Sequence, residues 1–170
     1  MCGIAGIIDF NGRKIDAIKV RSMCDAMVHR GPDSEGIYEN SIAQEQGVKT
    51  SVVLGHRRLS IIDLKTGNQP IFNEDKRICI VYNGEIYNFK ELRLDLERCG
   101  HNFRTDSDTE VIVHLYEEKG ERFVEYLRGM FSFALWDSTN EKLILARDFF
   151  GKKPLLYTFF DNRVIFASEF

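Results

Sequence analysis

Residues 131–136 read F-S-F-A-L-W and residues 2–10 read C-G-I-A-G-I-I-D-F, so each run is apolar or small on both of its faces. A strand turns successive side chains to opposite sides, and one without a polar side has to be covered twice. That demand excludes a single solvated sheet and calls for strands between another sheet and a helix layer. Further strands are expected at 35–39, 51–56, 77–82, 142–147, 154–159 and 163–167, with turns at 138–140 and at Asp161-Asn162. The strand at 77–82 ends on Asn83-Gly84, and a polar loop runs through 67–70. Helical spacing covers 15–28 through Ile18, Met23 and Met27 and stops at Gly31-Pro32. Asn88 with Glu91 starts a second helix, with Phe89, Leu92, Leu96 and Cys99 along one face. Asp108 caps a third over 109–119, and 121–128 forms a fourth. Two strand-rich blocks flanking a helical one give an α+β fold of two packed sheets with helices outside.

Composition narrows the function classes. At 170 residues, 44% hydrophobic and 29% charged, the chain is one ordered domain. Twenty-three basic against 26 acidic side chains leave −3 with no basic block, which excludes an electrostatic footprint for nucleic acid. No apolar run reaches the ~20 residues that span a bilayer, and the amino terminus meets Asp9 too soon for a secretion signal. Cys2, Cys24, Cys79 and Cys99 are scattered, without a C-x-x-C pair, which suits a reduced, cytoplasmic setting. Cys24, Cys79 and Cys99 read as core. His29, His56, His101 and His114 lack metal-ligand spacing and read as structural, so no metal is expected. The chain ends at Phe170 directly after a strand, as a domain cut from something longer would.

A few residues could carry chemistry. Cys2 follows the initiator methionine, whose removal is favoured before a small side chain. It would then hold a thiol and a free α-amine on one carbon, and that amine (pKa ~7.7–8.0) can serve as the thiol's own base. Position alone also permits a buried core cysteine. Asn83-Gly84 can form a hairpin turn or, through an amide side chain and a backbone N–H, an oxyanion hole. Arg57-Arg58 can be a surface pair or a grip on a carboxylate. Asp108 can cap a helix or hold an ammonium group, and Arg30 can simply complement a helix end.

In order along the chain, M-C-G-I-A-G-I, H-R-G-P-D at 29–33, H-R-R-L-S-I-I-D at 56–63, G-N-Q-P at 67–70, Y-N-G-E-I-Y-N at 82–88, T-D-S-D-T-E at 105–110, G-M-F-S-F-A-L-W-D at 129–137 and R-D-x-x-G-x-x-P-L at 147–155 resemble class II glutamine amidotransferase domains. The likeness is to the amino-terminal glutaminase half of asparagine synthetases and covers essentially the whole chain. It implies an N-terminal-nucleophile hydrolase fold, a four-layer αββα sandwich of two antiparallel sheets. It also implies roles: Cys2 as nucleophile, Asn83 and Gly84 as oxyanion hole, and Arg58 on the glutamine α-carboxylate. Leu59, Ile61 and Ile62 line the pocket, Glu85 and Asp108 surround the substrate α-amine, and Arg30 supports the nucleophile.

The implied reaction is glutamine hydrolysis through a Cys2 thioester, with ammonia passed to an ATP-dependent amidation. An S-G-G-x-D loop for ATP is missing from the sequence, so ATP and Mg are expected only for a separate or C-terminal synthetase part. The run Phe149, Phe150, Lys152, Lys153 departs most from the family pattern and is expected to touch that part. Rival readings are another acceptor (a sugar acid or other carboxylate) and a non-catalytic binding module. The oligomeric state stays open, a homodimer of the full-length protein being one arrangement.

Overall fold

The computed structural model describes residues 1–40 and 50–170. Its elements are β1 (Gly3–Asp9), α1 (Ala17–Ala26), β2 (Ser34–Glu39), β3 (Ser51–Arg58), β4 (Ile71–Phe72), β5 (Ile78–Ile86), α2 (Phe89–Arg98) and α3 (Glu110–Lys119). A 3-10 helix over Gly120–Tyr126 follows, then β6 (Gly129–Asp137), β7 (Lys142–Arg147), β8 (Leu156–Phe160) and β9 (Arg163–Ala167). One sheet has the order β2-β3-β1-β9-β8 and the other β4-β5-β6-β7, with every neighbouring pair antiparallel. No helix among the described residues is long and apolar enough to cross a membrane.

Strand alternation sorts the apolar residues into three layers of contact. Ile4 and Ile8 of β1 and Leu54 of β3 meet Cys79, Val81, Ala134, Trp136 and Phe166 between the sheets. Ala5 and Ile7, pointing the other way, pack with Val53 under Val20, Cys24 and Met27 of the α1 region. On the far side, Ile80, Tyr82, Phe133 and Leu135 pack under Val111, Ile112 and Leu115 of α3 and Leu96 of α2. The four layers are therefore helix, sheet, sheet, helix, as the resemblance implied. Both faces of β1 and β6 are covered, and a side chain of this size buried there contributes roughly 1.5–3 kcal/mol. Gly6 is needed on the inner face, because a Cβ there would come within 2.4 Å of the Phe166 ring.

Several local expectations change. The strand expected to end at Tyr82 continues to Ile86, because Asn83, Gly84, Glu85 and Ile86 stay in register with Ser132, Phe131, Met130 and Gly129. Asn83-Gly84 is therefore strand and not a turn. The first helix is shorter than 15–28: the Asp16 side chain accepts from the Ile18 N–H at 3.0 Å and starts it at Ala17, leaving Ile18 exposed. Cys99 is exposed beyond α2, unlike buried Cys24 and Cys79. The segment expected as a helix over 121–128 is the 3-10 helix, and β8 begins at Leu156, beyond Pro154.

Candidate active site

Cys2 immediately precedes β1, the central strand of its sheet. The Ile4 N–H donates to Ser168 Oγ at 3.0 Å and the Ser168 N–H donates back to the Ile4 carbonyl at 2.8 Å, pinning the strand's start to the chain's end. Arg30 Nε donates to the Cys2 carbonyl at 3.1 Å, and its Nη1 reaches Glu169 at 3.2 Å. Arg30 thus lies behind the Cys2 backbone and does not line the pocket.

One pocket gathers the other residues singled out in the sequence: Cys2, Arg58, Leu59, Ile61, Ile62, Asn83, Gly84, Glu85 and Asp108 all line it. The Leu59 N–H donates to Cys2 Sγ at 3.4 Å, and the thiol faces the Leu59 carbonyl at 3.6 Å. Burial pushes the Cys2 thiol above its ordinary value, against the pull of the Leu59 N–H, the terminal amine, Arg58 and Lys153. A thiol held protonated in this way needs a base to become a nucleophile.

The free edge of β5 borders the same pocket. Opposite Gly84, Phe131 turns both backbone polar groups to Asp148: its carbonyl accepts from the Asp148 N–H at 2.8 Å and its N–H donates to Asp148 Oδ2 at 3.2 Å. Gly84 and Phe131 are therefore a non-hydrogen-bonded pair, and the Gly84 N–H points away from β6. Tyr82 and Ile86 share that direction. The Tyr82 N–H donates to Gln69 Oε1 and the Ile86 N–H to Asp108 Oδ2 at 2.8 Å. Gly84 lies between them on the pocket wall. A Cβ on Gly84 would come within 2.4 Å of the Met130 carbonyl, so β5 and β6 approach this closely only with glycine there. Next to it, Asn83 is buried and its Nδ2 has no acceptor. A shielded amide donor without a partner costs about 1–3 kcal/mol.

Charged groups line the pocket as well. Buried Asp108 accepts from Tyr82 Oη at 3.0 Å as well as from Ile86, and burial raises its carboxyl above the ordinary range despite those donors. It does not cap α3, whose N-cap is Thr109 without a side-chain bond. Arg58 Nη1 donates to Asn68 Oδ1 at 2.7 Å, and Nη2 donates to the carbonyls of Ile62 and Asp63. The guanidinium thus anchors the loop after β3 while facing the pocket. Asp63 ties that loop to the 105–110 segment by accepting from the Asp106 N–H at 2.9 Å.

Sequence reasoning gave no role to Gln69 or Tyr82, although both lie within quoted motifs. Tyr82 holds Asp108 by its hydroxyl and, with Gln69 on its N–H and carbonyl, fixes the free edge of β5. The signal was the two-residue period around Gly84, which places Tyr82 and Ile86 beside it. Lys153, from the run expected against another domain, lines the pocket with its Nζ 3.3 Å from Met1 Sδ. Phe149 and Phe150 of the same run are 96% and 82% exposed. His56 is structural: burial holds its pKa down to about 3, and its neutral Nε2 lies 3.0 Å from the Tyr82 carbonyl of the facing sheet.

A family model described as a glutamine amidotransferase domain matches residues 1–170. Asparagine synthetase [glutamine-hydrolyzing] 2 of Bacillus subtilis is 47% identical over 99% of this chain, which spans 22% of that protein. Asparagine synthetase [glutamine-hydrolyzing] of Triphysaria versicolor is also 47% identical over 99%, with 27% of its length spanned. Glutamine phosphoribosylpyrophosphate amidotransferase from B. subtilis, solved with ADP and GMP, superposes with a TM-score of 0.75 at 24% identity over 99% of this chain and 42% of its own. That likeness establishes the shared sandwich fold. With a whole-length family match and a pocket built from the motifs that suggested it, the chain belongs to the glutamine amidotransferase domain family.

Proposed function

We propose that this domain hydrolyses the side-chain amide of glutamine to glutamate and ammonia through a thioester on Cys2, and that the ammonia serves an asparagine synthetase-type amidation. The observation that carries this reading is the juxtaposition of the Cys2 thiol, the partnerless Asn83 amide and the outward Gly84 N–H in one pocket. With Met1 removed, the Cys2 α-amine takes the thiol proton and Sγ attacks the amide carbon. The oxyanion forms between Asn83 Nδ2 and the Gly84 N–H. The ammonium proton passes to the leaving nitrogen, the C–N bond breaks, and ammonia departs from a γ-glutamyl thioester. Water, deprotonated by the same amine, attacks through a second oxyanion and frees glutamate and the thiol.

Arg58 meets the glutamine α-carboxylate, and Asp108 with Glu85 meets the α-ammonium, which selects the free amino acid. ATP and Mg act in a synthetase part, for which exposed Phe149 and Phe150 offer a docking surface. The chain spans about a quarter of the relatives it matches, consistent with such a part accompanying it.

The reading is tested by intact mass together with an ammonia assay. The protein is expected to lack Met1 and to release ammonia and glutamate in equal amounts from glutamine. A chain that keeps Met1 and hydrolyses glutamine equally well would remove the α-amine from the mechanism. Arg58→Lys retains the charge but loses the fork, and is expected to raise KM for glutamine about tenfold to a hundredfold with kcat largely kept. An unchanged KM would assign Arg58 to loop anchoring alone.

A further inference from the structure

Away from the Cys2 pocket, four side chains from three parts of the chain converge beside α3. Glu74 comes from the β4–β5 turn and His101 from the α2–α3 connection, while His114 and Glu117 are one turn apart on α3. His114 Nδ1 lies 3.0 Å from Glu117 Oε2 and 3.4 Å from Glu74 Oε2. His101 Nδ1 lies 3.5 Å from Glu74 Oε1 and 3.7 Å from Glu117 Oε2. One ligating atom from each residue lies within 4.8 Å of all the others. A tetrahedral ion with bonds of ~2.0–2.1 Å has ligand–ligand edges of about 3.3–3.4 Å, and the imidazole–carboxylate separations here lie near that span, with His114 facing Glu74 Oε2 and His101 facing Glu74 Oε1.

The outer shell is also in place. His101 Nε2 lies 3.0 Å from Glu118 Oε1, and His114 Nε2 faces Glu110 Oε1 at 3.7 Å. Both imidazoles thus turn Nδ1 to the centre, and His101 Nε2 is hydrogen-bonded to a carboxylate, the arrangement that orients metal-bound histidine. Asn73 Nδ2 donates to Glu117 Oε1 at 2.7 Å, and the Asn102 N–H donates to Glu74 Oε1 at 3.1 Å, which orients both carboxylates. His114 is wholly buried; its Nδ1 is hydrogen-bonded to Glu117 Oε2, and its Nε2 makes no hydrogen bond. The two rings sit 4.7 Å apart.

We propose that Glu74, His101, His114 and Glu117 form a binding site for one divalent transition-metal ion of the zinc type, separate from the glutaminase pocket. Two imidazoles favour such an ion over magnesium or calcium, which prefer all-oxygen shells. The ion would clip the β4–β5 turn and the α2–α3 connection to α3. Linear spacing conceals the site, because its ligands come from three elements and the histidines are 13 residues apart.

The probe is Zn2+ added to the Cys2→Ala/Cys99→Ser protein, so that neither the pocket thiol nor the exposed one supplies the binding. Calorimetry is expected to show one equivalent bound, the thermal unfolding midpoint to rise with Zn2+ but not with Mg2+, and Co2+ to give the strong visible absorption of a tetrahedral centre. Glu118→Gln is expected to weaken binding about 10–100-fold. His101→Gln is expected to weaken it by more than about a hundredfold and to abolish the Zn2+-dependent rise. A metal-free midpoint near the parent's shows that this variant is folded. If it is not, Glu74→Gln on the turn reads the same loss. The absence of saturable one-to-one binding, or an affinity unchanged in all the variants, would overturn the site.

Discussion

Cys2→Ala is expected to release no ammonia from glutamine above background, a fall on the order of 10⁴-fold or more, while glutamine still binds with near-parental affinity. The two readouts separate because the nucleophile and the groups proposed to grip the amino acid are different residues. Arg58, Glu85 and Asp108 line the pocket from other segments of the chain, and Asp108 is held by Tyr82 and Ile86 without help from Cys2. Alanine keeps the α-amine after Met1 is removed, so the base survives and only the sulfur is lost. The thiol's neighbours are the Leu59 N–H and carbonyl at 3.4 and 3.6 Å, both weak sulfur contacts, so the fold should tolerate the change. Ammonia release at the parental rate, measured alongside glutamine binding by calorimetry, would sink the assignment of Cys2.

The sandwich was legible because β1 and β6 carry apolar residues on both faces, a pattern that a single buried face cannot explain. Each of the three observed contact layers takes alternate residues from these runs, such as Ala134 and Trp136 inward and Phe133 and Leu135 outward. The end of β5 was misread, because Asn-Gly has a strong local preference for a turn. Nine residues of pairing with β6 override that preference, and the glycine is selected there by the nearness of the Met130 carbonyl. Asp108 illustrates the same limit. Its local sequence suits a helix cap, but its partners, Tyr82 and Ile86, are 26 and 22 residues away. The candidate pocket residues could be named from motifs in order along the chain, whereas the edge that exposes the Gly84 N–H exists only once β5 and β6 are in register. The His101–His114 cluster lay beyond sequence reasoning for the same reason.

Asn83→Ala is expected to lower kcat about 10²–10³-fold with KM for glutamine little changed and stability within about 1 kcal/mol of the parent. The kinetic part follows from where the donor acts: an amide aimed at an oxyanion binds the tetrahedral state better than the planar substrate, so its loss falls on kcat. The stability part follows from the free protein, where Asn83 Nδ2 is buried with no acceptor. Truncating it removes a shielded, unsatisfied donor, which offsets the small void left behind. A structural asparagine would behave in the opposite way, losing stability while kcat held. Asn83→Asp sharpens the distinction, since it keeps the shape but sets a carboxylate against the developing negative charge and should be slower than alanine. A kcat within a few-fold of the parent in both variants would leave the Gly84 N–H as the sole donor. The partnerless Asn83 amide would then lose its place in the mechanism.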